Sequence, residues 1–298
     1  MTIHKALITG GTGFVGSNLS KRLIRDGWQV HIITRPNDNL DQINDIADQV
    51  SLHVHDGSTD GMHRIVAEAK PDIVFHLASL FLSEHTSADV DRLVVSNVLL
   101  GTQLLDAMAA HGVTSIINTG TSWQHYDNKP YSPVNLYAAT KQAFEDILQY
   151  YVDAKDTKAI TLKLFDTYGP NDPRPKLFHL LERVAREGTP LSMSPGEQMI
   201  DLVYIDDVVQ AFVVAANRLL EGSLREHEIY GVSSGSPLAL KELVETYSRI
   251  IGTQLSVNWG GRPYRVREVM TPWKCYKILP GWSSEILLET GIRKIVVQ

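Results

Sequence analysis

The first half of the chain alternates between two patterns. Short, continuous apolar and β-branched runs occur at Ala6–Thr9, Val30–Thr34, Val50–Val54, Ile73–His76 and Ser115–Asn118. Between them lie stretches with apolar residues at helical spacing, such as Gly16–Arg25 and Val90–Ala110. A strand apolar at every position is buried on both faces, and helices between such strands place them in a parallel sheet. Right-handed crossovers then give a doubly wound, Rossmann-like α/β fold. A longer helix is expected over Leu136–Val152 and a further strand over Ala159–Leu164. After Gly169 the alternation loosens, beginning with the loop Gly-Pro-Asn-Asp-Pro-Arg-Pro at 169–175. The pattern therefore predicts a parallel-sheet domain over residues 1–169. Residues 170–298 are expected to form mainly a smaller lobe, with segments returning to the sheet.

Composition narrows the possibilities. With 43% hydrophobic and 21% charged residues, the 298-residue chain reads as globular rather than disordered. Its 28 Lys and Arg against 34 Asp and Glu give a net charge of −6, which argues against a nucleic-acid partner held by phosphate neutralisation. The single cysteine, Cys275, excludes an internal disulfide or a cysteine-rich metal site and fits a reducing compartment. The apolar run Lys5–Gly16 is interrupted by Gly and Thr, unlike a secretory signal. No uninterrupted apolar run reaches the roughly 20 residues of a membrane helix. The expectation is a cytoplasmic protein with no membrane association. His53 and His55 share a strand face without a third ligand at metal spacing, so no metal is expected.

Chemistry enters at the first strand end. Residues 7–16 read Leu-Ile-Thr-Gly-Gly-Thr-Gly-Phe-Val-Gly, a strand running through Gly10, Gly13 and Gly16 into a helix. Such glycines let the backbone approach a pyrophosphate closely, and the helix N-terminus offers free N–H groups and a positive dipole end. Gly10, Thr12, Gly13, Phe14, Val15 and Gly16 are therefore candidate dinucleotide contacts. After the second strand, an acid would bind the ribose 2′-hydroxyl of NAD. Here Arg35 stands instead, suited to a 2′-phosphate, while Asp38 and Asp41 lie further along. That favours NADP, with NAD as the alternative.

A second cluster follows the fifth strand. Tyr137 and Lys141 are four apart and share a helix face. An ammonium beside a phenol stabilises the phenolate, making a proton donor or acceptor for a carbonyl/alcohol couple. Taken alone, the Tyr-x-x-x-Lys spacing matches many ordinary helix faces. Thr121 ends the fifth strand at the sheet edge where ligands bind, placing its hydroxyl near the same oxygen. Asn97 interrupts an apolar stripe formed by Val90, Leu93, Val94, Leu100, Leu104 and Leu105. A buried amide there either holds a water or carbonyl near the lysine or is satisfied by local backbone. Trp123 falls where a substrate loop is expected.

Together these features resemble the extended short-chain dehydrogenase/reductase family, in its nucleotide-sugar branch. Further motifs carrying the resemblance are Asp56-Gly57, His76-Leu77-Ala78-Ser79, Asn97 with Gly101-Thr102, Tyr168-Gly169-Pro170, the run Asp201–Asp207, Tyr264-Arg265 and Gly281-Trp282. The resemblance implies that residues 1–169 bind NADP and residues 170–298 a nucleotide-diphosphate sugar. It implies cofactor contacts from Asp56, Gly57, Leu77, Ala78, Ser79, Tyr137 and Lys141, with Asp56 at the adenine. It makes Thr121, Tyr137 and Lys141 the catalytic trio, supported by Asn97. Asp206 and Asp207 are expected to cap the helix that follows them.

The departures from the family pattern sharpen the expectation. Dehydratases of this type carry an Asp-Glu pair after the hydroxyl residue, whereas this chain has Ser122-Trp123 after Thr121. Reductase-epimerases place a Cys beside it, and Cys275 is remote. Asp166 and Ile200 stand where the family has Asn and Arg facing the substrate diphosphate, so Arg265, with Lys176 or Arg174, is expected to supply that charge. The resulting expectation is NADP-dependent reduction of a nucleotide-activated 4-keto-6-deoxy hexose. An NAD-dependent 4-epimerase and a non-catalytic dinucleotide sensor are the alternatives. The apolar surplus on Leu136–Val152 and Val90–Ala110 points to a homodimer.

Overall fold

A computed structural model describes residues 3–222 and 226–297. Its frame is a seven-stranded, all-parallel sheet in the order β11-β6-β5-β4-β1-β2-β3. The strands are β1 (Lys5–Thr9), β2 (Gln29–Thr34), β3 (Val50–Val54), β4 (Ile73–His76), β5 (Ser115–Thr121), β6 (Lys158–Leu164) and β11 (Glu228–Val232). β4 and β5 are buried nearly throughout, as central strands covered on both faces are. The order reverses between β1 and β4, the switch point at which α/β sheets open a crevice.

Helices cover both faces. On one side lie α2 (Thr59–Ala69), α3 (Val90–Val94), α4 (Leu100–Ala110) and α5 (Leu136–Ala154). Leu104, Leu105, Met108, Phe144 and Leu148 form that side's core with Leu7, Val74 and Ile116. On the other side are α1 (Phe14–Arg25) and α7 (Ile205–Leu220), in contact with each other. The helix expected over Val90–Ala110 is broken by a π-turn at Val95–Leu99 that joins α3 to α4. By length and composition alone the run Ser87–Ala110 is apolar enough to cross a membrane. Here it packs on α2 and α5 with Leu93, Leu104, Leu105 and Met108 fully buried.

The remaining elements are small. They are α6 (Leu177–Glu187), α8 (Leu240–Ile251), α9 (Leu288–Val296) and three strand pairs. β7 (Asp166–Tyr168) pairs with β10 (Leu202–Tyr204), β9 (Met199–Ile200) with β12 (Leu238–Ala239), and β8 (Leu191–Met193) with β13 (Val257–Trp259). They are not separate from the sheet: one apolar cluster runs from Ala6 and Ile8 through Phe212 to Leu243 and Ile292. The expectation that Asp206 and Asp207 cap α7 is corrected. Tyr204 occupies the cap position, with no side-chain bond. The buried Asp207 carboxylate instead accepts from Ser284 Oγ and the Glu285 and Ile286 amides at 2.9–3.1 Å. Asp206 is exposed, 3.9 Å from Lys294.

Candidate active site

The glycine loop joins β1 to α1. Gly10 has φ +72, a region that costs other residues, and a Cβ there would stand 2.7 Å from the Ala78 amide nitrogen. Gly16 packs against the Gly10 carbonyl so closely that a side chain would collide with it. Gly13 is the cap of α1, so the first free amides of the helix, at Phe14 and Val15, face the crevice. Thr12, Leu77, Ala78 and Ser79 complete this rim between the β1 and β4 ends. The cradle fits a dinucleotide pyrophosphate, because only glycine leaves the space it needs.

Past β2 a further side chain lies against the glycine loop. Arg35 is exposed just past β2, with its side chain 82% accessible. Asn37 takes φ 57, and the chain turns back so that Asp38 Oδ1 accepts from Arg35 Nη2 at 2.7 Å. The other oxygen accepts from Thr12 Oγ1 in the glycine loop at 3.0 Å. An acid therefore lies against the phosphate loop after all, four residues past the strand. Both hydrogen bonds outweigh burial and hold its carboxyl below the usual range. Asp56 lies exposed after β3, with Gly57 next at φ +89. Its Oδ1 accepts from the Ser58 amide at 2.9 Å, and Arg64 donates to Oδ2 at 2.9 Å.

The reactive side chains meet at the C-terminal ends of β5 and β6. Asn135 caps α5, its side chain accepting from the Ala138 amide, and so fixes the helix turn that carries Tyr137. A cavity of about 230 Å³ is lined by Gly13, Ser79, Thr121, Trp123, Tyr137 and Asp166, among others. Burial pushes the Tyr137 phenol up to about 12. The adjacent Ser79 and Thr121 hydroxyls and the Arg174 charge pull it back, and Asp166 raises it. Lys141 is 1% exposed, and burial lowers it to about 8, with Glu145 opposing the fall. Among the described residues its Nζ has no hydrogen-bond partner, as suits a donor meant for a ligand hydroxyl.

Asn97 is fully buried in the π-turn, and its amide is committed elsewhere. Oδ1 accepts from the Leu80 amide at 2.7 Å, while Nδ2 donates to the Leu80 carbonyl and to Thr140 Oγ1. None of these bonds goes to Lys141. Thr140 in turn donates to the Tyr137 carbonyl at 2.7 Å, so Asn97 ties the loop after β4 to the catalytic helix.

A wider cleft of about 760 Å³ continues from this cavity. Trp123, Asp166, Lys176 and Arg265, the candidate substrate contacts, all line it, and His179 on α6 lies on its wall. Lys176 sits 3.7 Å from Asp166, and Arg265 pairs with Glu268 at 2.8 Å while lying over the Trp123 ring. The sequence reading missed Phe81, which packs edge-on to Tyr137, and undervalued Arg174, which lies over Phe14 and lines both cavities. The only sequence signal for either was its loop position. His53 and His55 are buried: His53 contacts His31 at 2.9 Å, and His55 bonds the Ser58 carbonyl. Among the described residues no group of three or more His, Cys, Asp or Glu could hold a metal.

Known proteins share this sequence pattern and fold. A CDP-abequose synthase of Salmonella muenchen is 28% identical over 98% of this chain and 97% of that protein. A UDP-glucose 4-epimerase of Mycolicibacterium smegmatis is 26% identical over 98% and 97%. The structure of the Thermotoga maritima UDP-glucose 4-epimerase with UDP-glucose superposes with a TM-score of 0.86 at 23% identity, covering 98% of this chain and 97% of that one. MoeE5, solved with UDP-glucuronic acid and NAD, does so at 0.81 and 22%, covering 98% of each. The model of the NAD dependent epimerase/dehydratase family matches residues 6–230, so the chain belongs to that family, within the extended short-chain dehydrogenase/reductase enzymes.

Proposed function

We propose that the protein is an NADP-dependent reductase of a nucleotide-activated 4-keto-6-deoxy hexose. The observation that carries this reading is that Tyr137 stands in the cavity with no acid on the residues that directly follow Thr121. Tyr137 and Thr121 share one cavity with the glycine loop, and Ser122 and Trp123 beside Thr121 carry no acid. Reduction of a ketone needs one proton donor, whereas dehydration, or inversion at the carbons beside the ketone, needs a further acid or base; inversion at C4 through the cofactor does not. The glycine cradle and the unpartnered Lys141 ammonium fit a nicotinamide dinucleotide, which when bound supplies hydride to the ketone carbon. Thr121 orients the ketone oxygen. Tyr137 donates its proton there, and the Lys141 charge stabilises the phenolate left behind. Arg265, Lys176 and Arg174 neutralise the diphosphate, with Trp123 and Phe81 as apolar walls. The CDP-abequose synthase relatives bear the name of a nucleotide-activated sugar product, in keeping with this substrate class.

One observation favours a second reading, an NAD-dependent 4-epimerase. Asp38, bonded to Thr12 beside the phosphate loop, is placed to accept from an unphosphorylated ribose. The purified protein separates the two. Consumption of NADPH with a 4-keto nucleotide sugar supports the reductase. Tightly held NAD with interconversion and no net redox change overturns it in favour of the epimerase. A thermal-shift panel of nucleoside diphosphates identifies the base, since a ligand of the folded state raises the melting point.

A further inference from the structure

Below the catalytic edge, the α5 side of the sheet carries polar residues where apolar ones belong. Thr9, His76, Asn118 and Thr161 are register partners across β1, β4, β5 and β6, and all are at most 1% exposed. Buried polar groups must be paired, and their hydrogens can be counted. Thr9 Oγ1 accepts from the Ala78 amide at 3.1 Å, and as His76 Nδ1 at 2.8 Å is the one acceptor beside it among the described residues, its own hydrogen is assigned there. His76 then carries its proton on Nε2.

At the other end, Gln149 Nε2 donates to Asp153, which fixes Oε1 as the atom facing His227 Nδ1 at 3.2 Å. That nitrogen must donate, so His227 Nε2 accepts from Thr161 Oγ1 at 2.7 Å. Thr161 in turn accepts from Asn118 Nδ2 at 3.1 Å. The chain of donors runs in one direction and is interrupted once. On one side of the interruption is His76 Nε2–H and on the other Asn118 Oδ1, neither with a partner among the described residues. Neighbouring strands lie about 4.8 Å apart, so an unpaired donor and an unpaired acceptor face a shared space.

Lys141 is carried on the helix that packs against His76. Phe144, one turn along the same face of α5, packs on the His76 ring at 4.8 Å between centroids, and the Lys141 charge opposes protonation of His76. Thr119 Oγ1, also unpartnered, lies on the opposite side of β5 in the catalytic cavity.

We propose that His76 and Asn118 are positioning residues for Lys141, acting through one buried water that accepts from Lys141 Nζ and His76 Nε2–H and donates to Asn118 Oδ1. Three partners lie within the two to four that a buried water takes. The water solvates the ammonium from behind and aims the remaining N–H groups at the crevice. The proposal rests on the reading that Lys141 serves Tyr137. The titratable groups around the ammonium are few. Tyr137 and Glu145 share its helix, His76 comes from β4, and Lys163 of β6 takes part of the Glu145 charge at 3.1 Å.

The test is the titration of the Lys141 Nζ resonance in ¹⁵N-lysine-labelled full-length protein, assigned by its loss in Lys141→Arg. It is followed in wild type, Asn118→Asp and Asn118→Leu, with the pH profile of kcat measured in parallel. A carboxylate in place of the amide should raise the lysine's pKa by about one unit or more, and leucine should lower it. The basic limb of kcat should follow, while cofactor KM stays constant. A folded Asn118→Asp that titrates at the wild-type value overturns the proposal, and this near-isosteric variant carries the test if the leucine variant does not fold. The resonance is read without turnover. A failure of the reductase reading would instead appear as full activity in Tyr137→Phe, whatever Lys141 does.

Discussion

Tyr137 and Lys141 are displaced in opposite senses by one cause, since burial disfavours a phenolate and an ammonium alike. Each needs the other to ionise. Tyr137→Phe should therefore keep the fold and cofactor binding but lose about 10²–10⁴-fold in kcat, the usual worth of general acid catalysis. Steady-state rates with the natural substrate check this. Arg35 governs the second prediction at this scale. A charge-assisted contact contributes about 1.5–3 kcal/mol, so Arg35→Ala should weaken NADPH by roughly ten- to a hundredfold and leave NADH nearly unchanged. Arg35→Asp should tip the ratio toward NADH, with kcat/KM for both cofactors as the measure. A ratio that does not move would leave Asp38 as the residue that decides. The glycines, Tyr137 and Lys141 were legible in the sequence because their meaning is local, in a turn or a single helical turn. Asp38 was not, because its role depends on a reversal at Asn37 that brings it back onto Thr12.

Among the elements, α4 and α5 are the most constrained. Gly101 packs directly on the Phe144 ring, leaving no room for a side chain. Gly101→Val should cost about 1–3 kcal/mol through overpacking, read from urea unfolding. The outer face of α3, the π-turn and α5 differs: Val90, Val94, Val95, Leu99 and Tyr150 are all exposed. We expect this stripe to pair with a second copy by two-fold symmetry. Light scattering at micromolar concentration should report a dimer, and Val95→Asp with Leu99→Arg should yield a monomer of unchanged helicity. The strands and α5 were readable from periodicity. The break at Val95–Leu99 was not, because a π-turn inserts into the helix without disturbing its apolar pattern. The task of Asp207 was hidden for another reason, as its partners lie 77 to 79 residues away.

At the scale of the whole molecule, acid is the condition that should unfold it. Burial holds His76 down at about 3 and lowers His125 and His227 as well. An unfolded histidine titrates near 6.5, so below that pH the unfolded chain binds more protons and stability falls. The loss amounts to about 1.4 kcal/mol per pH unit for each histidine that must stay neutral. Urea midpoints should be level around neutral pH and decline below pH ~6.5, and the pair His125→Gln and His227→Gln should make that decline shallower. An unchanged slope would place the acid sensitivity elsewhere.

The position of β11 also bears on how the chain is made. The outermost partner of β6 is drawn from residues 228–232, long after β6 itself ends at Leu164. While the ribosome synthesises the intervening segment, six strands can assemble, but the growing sheet shows a row of unpaired amides and carbonyls along β6. Bare edges of that kind recruit other chains. The nascent protein is therefore most vulnerable between those two points, and a premature stop near residue 170 should yield an aggregating fragment rather than a small working domain.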